Sequence, residues 1–69
     1  MPIISVVLAE GRSTAMKRDF IRAVTDAAMS SLGVRAEQVR IILNETPLGH
    51  YAVGGVTFAE ANETQEVSS

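Results

Sequence analysis

The sequence predicts an α+β fold: a β-α-β subunit with two parallel strands, one helix and a short C-terminal hairpin, assembled into an oligomer. Three observations carry that prediction. Two β-branched apolar runs flank a stretch whose apolar residues recur at helical spacing. A glycine pair lies between two short, mostly apolar pairs further along. The chain has only 69 residues, too few for one copy to bury a self-sufficient core, and small domains commonly meet that shortage with disulfides, metals or self-association.

Each element has a local reason. Ile3 to Ala9 (IISVVLA) is a β-branched run bounded by Pro2 and by Glu10-Gly11, which marks a strand. Ile4, Val6 and Leu8 point to one face; Ile3, Ser5, Val7 and Ala9 point to the other. Both faces are largely apolar, so the strand expects cover on both sides. Ser13 is placed to cap a helix that runs to about Leu32, with Gly33 as its stop. On a helical wheel Met16, Phe20, Ile21, Val24, Ala27, Ala28 and Leu32 share an arc of roughly 160°. Arg18, Asp19, Arg22 and Asp26 occupy the opposite side. Lys17 and Ser31 fall inside the apolar arc, near ends where each is expected to reach water. Val39 to Leu43 (VRIIL) is the second strand, and the helical crossover makes the pair parallel. Thr46-Pro47-Leu48-Gly49 is a turn cluster. Ala52-Val53 and Val56-Thr57 form a hairpin around Gly54-Gly55. Residues 1–69 read as one domain, with a polar, mobile tail over about 60–69.

Two parallel strands have two faces, and one helix covers only one of them. The uncovered face, with Ile3, Val7 or Ile42, and both strand edges would meet water. The sequence therefore predicts packing between subunits. Composition narrows the function. There is no cysteine, which excludes disulfides and thiolate metal sites, and a single histidine leaves little room for a metal or a triad. A net charge of -2 argues against nucleic acid as the main partner. No apolar run approaches the roughly 20 residues that span a bilayer. The helix's polar face mixes signs, which argues against a membrane-surface role. The opening residues lack the features of a secretory signal. The expected protein is soluble and cytoplasmic, binding neither nucleic acid nor membrane.

A few residues stand out as carriers of chemistry. Pro2 follows the initiator Met1, and proline in that position permits removal of the methionine. The proline would then carry a free secondary amine, and in an apolar, cationic setting its neutral form would be a competent base. The plain alternative is a proline that merely begins a strand. Arg40 interrupts an apolar strand, where an unpaired buried charge is costly. It needs an anion, either a ligand carboxylate or a structural partner such as Glu10 or Glu45. Arg12 follows Gly11 in the loop after the first strand. Arg18, Arg22 and Arg35 read as ordinary solvated charges. His50 reads as structural before catalytic, and Tyr51, the only tyrosine, either lines a pocket or packs on a neighbouring subunit. Asn44-Glu45-Thr46 and Asn62-Glu63-Thr64 match the glycosylation sequon but carry no weight without a secretory signal.

Taken together, these residues resemble a known family. The proline directly after Met1, the short strand, Glu10-Gly11-Arg12-Ser13 opening a helix, Val39-Arg40-Ile41-Ile42, and Gly49-His50-Tyr51 followed by Gly54-Gly55 resemble the tautomerase superfamily. They are most similar to its 4-oxalocrotonate (2-hydroxymuconate) tautomerase group. The resemblance covers roughly residues 2–58. It implies a homohexamer, described as a trimer of dimers, and catalysis by the amino-terminal proline with no cofactor and no metal. The implied substrate is a small-molecule carboxylate, an enol such as 2-hydroxymuconate, which is converted to the conjugated ketone. By position, Pro2 matches the base and Arg40 the arginine that binds the keto-carboxylate end and stabilises developing charge. Arg12 matches the arginine that holds the distal carboxylate, and Tyr51 the aromatic wall of the pocket. In the family these groups come from different subunits. Two features depart from the pattern. Tyr51 stands where phenylalanine is common, so an added hydroxyl can bond substrate or admit water. The tail from Glu60 is acidic where well-known relatives are basic. Val53 stands near the position where dehalogenase relatives carry a glutamate, which ranks hydration chemistry low. Other readings are a phenylpyruvate-type tautomerase, a promiscuous decarboxylase or dehalogenase relative, and a non-catalytic oligomeric binding module.

Overall fold

The computed structural model of the chain describes residues 1–62. Its elements run β1 (Ile3–Ala9), α1 (Thr14–Leu32), β2 (Arg40–Thr46), β3 (Ala52–Val53) and β4 (Val56–Thr57). Single 3-10 turns lie at Ala36–Gln38 and Leu48–His50. The helix has the predicted ends. Ser13 Oγ accepts the Met16 N–H at 3.2 Å, and the Gly33 N–H closes the last turn on the Met29 carbonyl at 3.0 Å. β1 and β2 pair in parallel, in a register running from Ile3↔Arg40 to Ala9↔Thr46. β3 and β4 form a separate antiparallel hairpin. Gly54 (φ 61°) and Gly55 (φ 86°) make its two-residue turn, in a conformation most side chains avoid.

β2 begins one residue later than expected and runs three residues further, through Asn44, Glu45 and Thr46. Its length follows its partner. β1 continues to Ala9, opposite Thr46, and the Glu10 N–H adds a bond to the Thr46 carbonyl at 3.0 Å. The polar residues are tolerated because Asn44 and Glu45 are exposed. Lys17 does more than reach water: its ammonium meets Glu45 at 3.0 Å and ties α1 to β2. The region around residue 60 also differs from the expected mobile tail. Residues 58–62 are helical. Thr57 Oγ1 accepts the Glu60 N–H at 3.1 Å and Glu60 Oε2 accepts the Thr57 N–H at 2.8 Å, a reciprocal capping box. The signal was present as Thr57-Phe58-Ala59-Glu60. The remainder of the tail lies outside the described residues.

Helix α1 covers one face of the sheet. Ile4, Val6 and Leu8 of β1, and Ile41 and Leu43 of β2, are half-buried on that side, as are Ile21 and Val24 of the helix. Among the described residues Ala28 is the only buried apolar residue. The helix's apolar arc is split. Ile21, Val24 and Ala28 pack inward, whereas Met16 (57% exposed), Phe20 (40%) and Leu32 (61%) remain open. The far face of the sheet is bare, with Ile3 (63%), Val7 (68%) and Ile42 (50%) exposed. The radius of gyration is 16.0 Å, against about 11 Å for a compact domain of this length. So much uncovered apolar surface on so short a chain calls for a partner.

Three expectations follow. Sedimentation velocity at micromolar concentration should find an assembly rather than a folded monomer. Ile42→Lys, which puts a charge on the bare sheet face, should shift the chain to unassembled, poorly folded material. Breaking the helix–strand tie should cost less. Glu45→Gln should lower stability by about 0.5–1 kcal/mol, the scale of a partly exposed ion pair, and high salt should shrink the difference in denaturant midpoint.

Candidate active site

The sheet brings two of the sequence-predicted site residues together. Pro2 immediately precedes β1, and its carbonyl accepts the Arg40 N–H at 3.0 Å. Arg40 is the first residue of β2, paired with Ile3, and not a mid-strand residue as expected. Its side chain belongs to the bare face, in line with Ile42 and Asn44. In the single chain that side chain is exposed, so its charge is solvated and bears no burial cost. The structural partners considered for it do not serve. Glu45 is engaged by Lys17, and Glu10 lies past the other end of β1. Among the described residues Arg40 has no carboxylate partner; its Nη1 rests 2.9 Å from the Met1 sulfur. A thioether is a weak acceptor and no counterion. The guanidinium is thus available to an anion beside the start of the chain. With Met1 attached, the Pro2 nitrogen is an amide and has no usable lone pair. Loss of Met1 would free both that nitrogen and the space in front of Arg40.

Arg12 lies at the opposite end of the strand. Gly11 turns the chain at φ 122°, a value suited to glycine, and delivers Arg12 to the mouth of an open groove of about 370 Å³. Val6, Leu8, Met16, Lys17 and Phe20 line the rest of it. Arg12 Nη1 donates to the Ala9 carbonyl at 3.1 Å, which holds the side chain back along the loop. β1 has seven residues, or roughly 23 Å of strand, between Pro2 and Arg12. One chain therefore cannot present both to the same small molecule.

Tyr51 occupies a third location, at the base of the hairpin. It is half-buried, and its ring stacks on Phe58 with centroids 4.2 Å apart and planes tilted by 34°. The sequence reading missed Phe58. The signal lay in the hairpin register: with Ala52 opposite Thr57, the next pair outward is Tyr51 and Phe58. His50 is exposed at the end of its 3-10 turn, its backbone N–H bonded to the Pro47 carbonyl at 2.8 Å. Among the described residues no group of three His, Asp or Glu side chains could hold a metal, and no helix is long and apolar enough to cross a membrane.

This arrangement can be set beside known proteins. The tautomerase enzyme family matches residues 2–61. A probable tautomerase from Ralstonia nicotianae is 43% identical over 63 residues, covering 91% of this chain and 90% of that protein. A 2-hydroxymuconate tautomerase from Pseudomonas putida is 39% identical over 62 residues, covering 90% of this chain and 98% of its own. Among solved structures, a heterohexameric 4-oxalocrotonate tautomerase from Chloroflexus aurantiacus superposes with a TM-score of 0.82 at 38% identity, covering 87% of this chain and 97% of that one. The match spans both strands, the helix and the hairpin, and so includes Pro2, Arg12, Arg40 and Tyr51: the chain belongs to the tautomerase family and is an enzyme of the isomerase class.

Proposed function

We propose that this protein is a keto–enol tautomerase that acts on an unsaturated 2-hydroxy (di)carboxylic acid such as 2-hydroxymuconate, with Pro2 as general base after removal of Met1. The observation that carries the reading is the division of charges along one strand. Pro2 and Arg40, which has no carboxylate partner among the described residues, share one end of the sheet, and Arg12 sits roughly 23 Å away at the other. An elongated dianion of six carbons needs a base and two cationic anchors, one for each end, within its own length, which is far shorter than β1. That requirement is met when a second chain brings its Arg12 to the first chain's Pro2, which makes a homo-oligomer, here a hexamer, the active form. The bare apolar faces support such an assembly, as does the heterohexameric relative. The Pseudomonas putida relative supports the choice of substrate.

The chemistry follows from the residues. The neutral proline nitrogen takes the enol proton, the O–H bond breaks, and the oxygen becomes the ketone. Negative charge spreads along the conjugated chain until a distant carbon accepts the proton back from the same nitrogen. Arg40 binds the keto-carboxylate end, where the charge develops, and its fixed guanidinium stabilises that charge more than it stabilises the ground state. Arg12 from another subunit holds the distal carboxylate. The Tyr51 ring walls the pocket. Proton traffic needs only the amine, so no cofactor is called for.

The N-terminus provides the deciding experiment. Protein whose intact mass shows Met1 removed should turn over 2-hydroxymuconate, and homogeneous protein with an extra residue ahead of Pro2 should not. Equal rates for the two would remove Pro2 from the mechanism. Pro2→Ala keeps a primary amine and should retain reduced activity. In the processed enzyme kcat/KM should climb with pH as the amine loses its proton, because only the neutral form accepts one.

The two arginines should separate kinetically. Arg40→Ala should lower kcat by about 10²-fold or more, the scale of a lost preorganised donor. Arg12→Ala should mainly raise KM, since holding a remote carboxylate is closer to uniform binding. An Arg40→Ala protein that unfolds, with unchanged turnover per folded molecule, would assign Arg40 a structural role only.

A further inference from the structure

Phe58 has no part in the proposed proton transfer, yet the fold constrains it closely. The Gly54-Gly55 turn sets the hairpin pairs Val53↔Val56 and Ala52↔Thr57. One step outward, the Phe58 N–H donates to the Tyr51 carbonyl at 2.7 Å and closes the hairpin's base. On its other side Phe58 follows Thr57 directly, and Thr57 is locked to Glu60 by the capping box. The backbone of Phe58 is thus held from both directions. Its ring lies on Tyr51 at 4.2 Å between centroids, close enough to cover one face of the tyrosine. Tyr51 is otherwise only half-buried, so its ring keeps accessible surface. A flat ring packed on one side by a second, anchored ring is a preset surface for a flat, conjugated molecule on the other.

We infer that Phe58 is a positioning residue: by stacking on Tyr51 it fixes the plane against which the conjugated chain of an unsaturated carboxylate substrate lies. The inference rests on the proposal that Tyr51 walls the substrate pocket, and it adds a residue that the sequence reading did not single out. Phe58 touches no substrate atom itself and acts through Tyr51.

The composition supplies a convenient reporter. Tyr51 is the only tyrosine and the chain has no tryptophan, so near-ultraviolet circular dichroism in the tyrosine band reports this one ring. Phe58→Ala should lose much of that signal while sedimentation shows the parent assembly. Its KM for 2-hydroxymuconate should rise by about 2- to 10-fold, the worth of one aromatic pair, with kcat within about twofold. Phe58→Tyr should restore KM. Phe58→Leu keeps apolar bulk without a flat ring; it should show the raised KM, and it serves if the alanine variant does not assemble. In a Tyr51→Ala background, Phe58→Ala should add nothing, because the two residues act as one unit. A parent-like KM in both Phe58→Ala and Phe58→Leu, or an equal increase with and without Tyr51, overturns the inference. If Tyr51→Ala raises KM but neither Phe58 variant does, the pocket wall stands and only the role of Phe58 falls. If Tyr51→Ala leaves KM unchanged, both fall.

Discussion

One helix lying on two parallel strands leaves half the work of burial undone, and the rest of this structure depends on that shortfall. A parallel sheet exposes two faces and two edges, and a single crossover helix covers one face. Here the consequence is visible residue by residue. Among the described residues Ala28 is the only apolar one that is buried. Ile3, Val7 and Ile42 on the bare side of the sheet, and Met16, Phe20 and Leu32 on the outer part of the helix stripe, all remain uncovered. With no cysteine to form a staple, the fold has to find its missing cover in another chain.

The same shortfall sets the terms for chemistry. The bare face carries Arg40 beside Pro2, and the groove at the far end of β1 carries Arg12. The surfaces that need a neighbour are also the surfaces that hold the charged groups. A site assembled across such a boundary can place two cations and a base around one small anion, although no single chain can. A site shared in that way would link concentration, assembly and activity in one equilibrium.

Much of this was legible in the sequence, because the relevant signals are local. Ile3 to Ala9, the Ser13 cap, the Gly33 stop and the glycine-paired hairpin are each set by neighbours a few residues away, and all appear as read. The uncovered sheet face was legible too, since counting one helix against two faces needs no coordinates. What escaped depends on pairing across the chain. β2 continues through Asn44, Glu45 and Thr46 because β1 offers partners as far as Ala9, which composition alone does not report. Lys17 was read as a helix-end residue reaching water, yet Glu45 comes within 3.0 Å only after the helix crosses the sheet. The capping box at Thr57 and Glu60 was local and readable, and the polar run after it obscured the signal. Of the candidate site, the residue types were legible, and so was the place of Pro2 and Arg12 at the two ends of β1; Arg40, expected inside its strand, heads it instead because pairing with Ile3 sets the start of β2.

Arg40 joins these threads. A guanidinium on an apolar sheet face is inexpensive while that face is wet, as it is in the isolated chain. Covering the face with another subunit would remove its water, and no carboxylate of its own chain stands ready among the described residues to replace it. A protein carboxylate in that position would settle the charge permanently and leave nothing for a ligand. Leaving it unpaired keeps a destabilising element in the assembled state, offset by the apolar contacts that surround it. A small carboxylate would supply the missing counterion, and charge that grows on the substrate during proton transfer would satisfy it further. The cost to stability and the capacity for catalysis would then be the same unsatisfied charge, present in full only once the chains have come together.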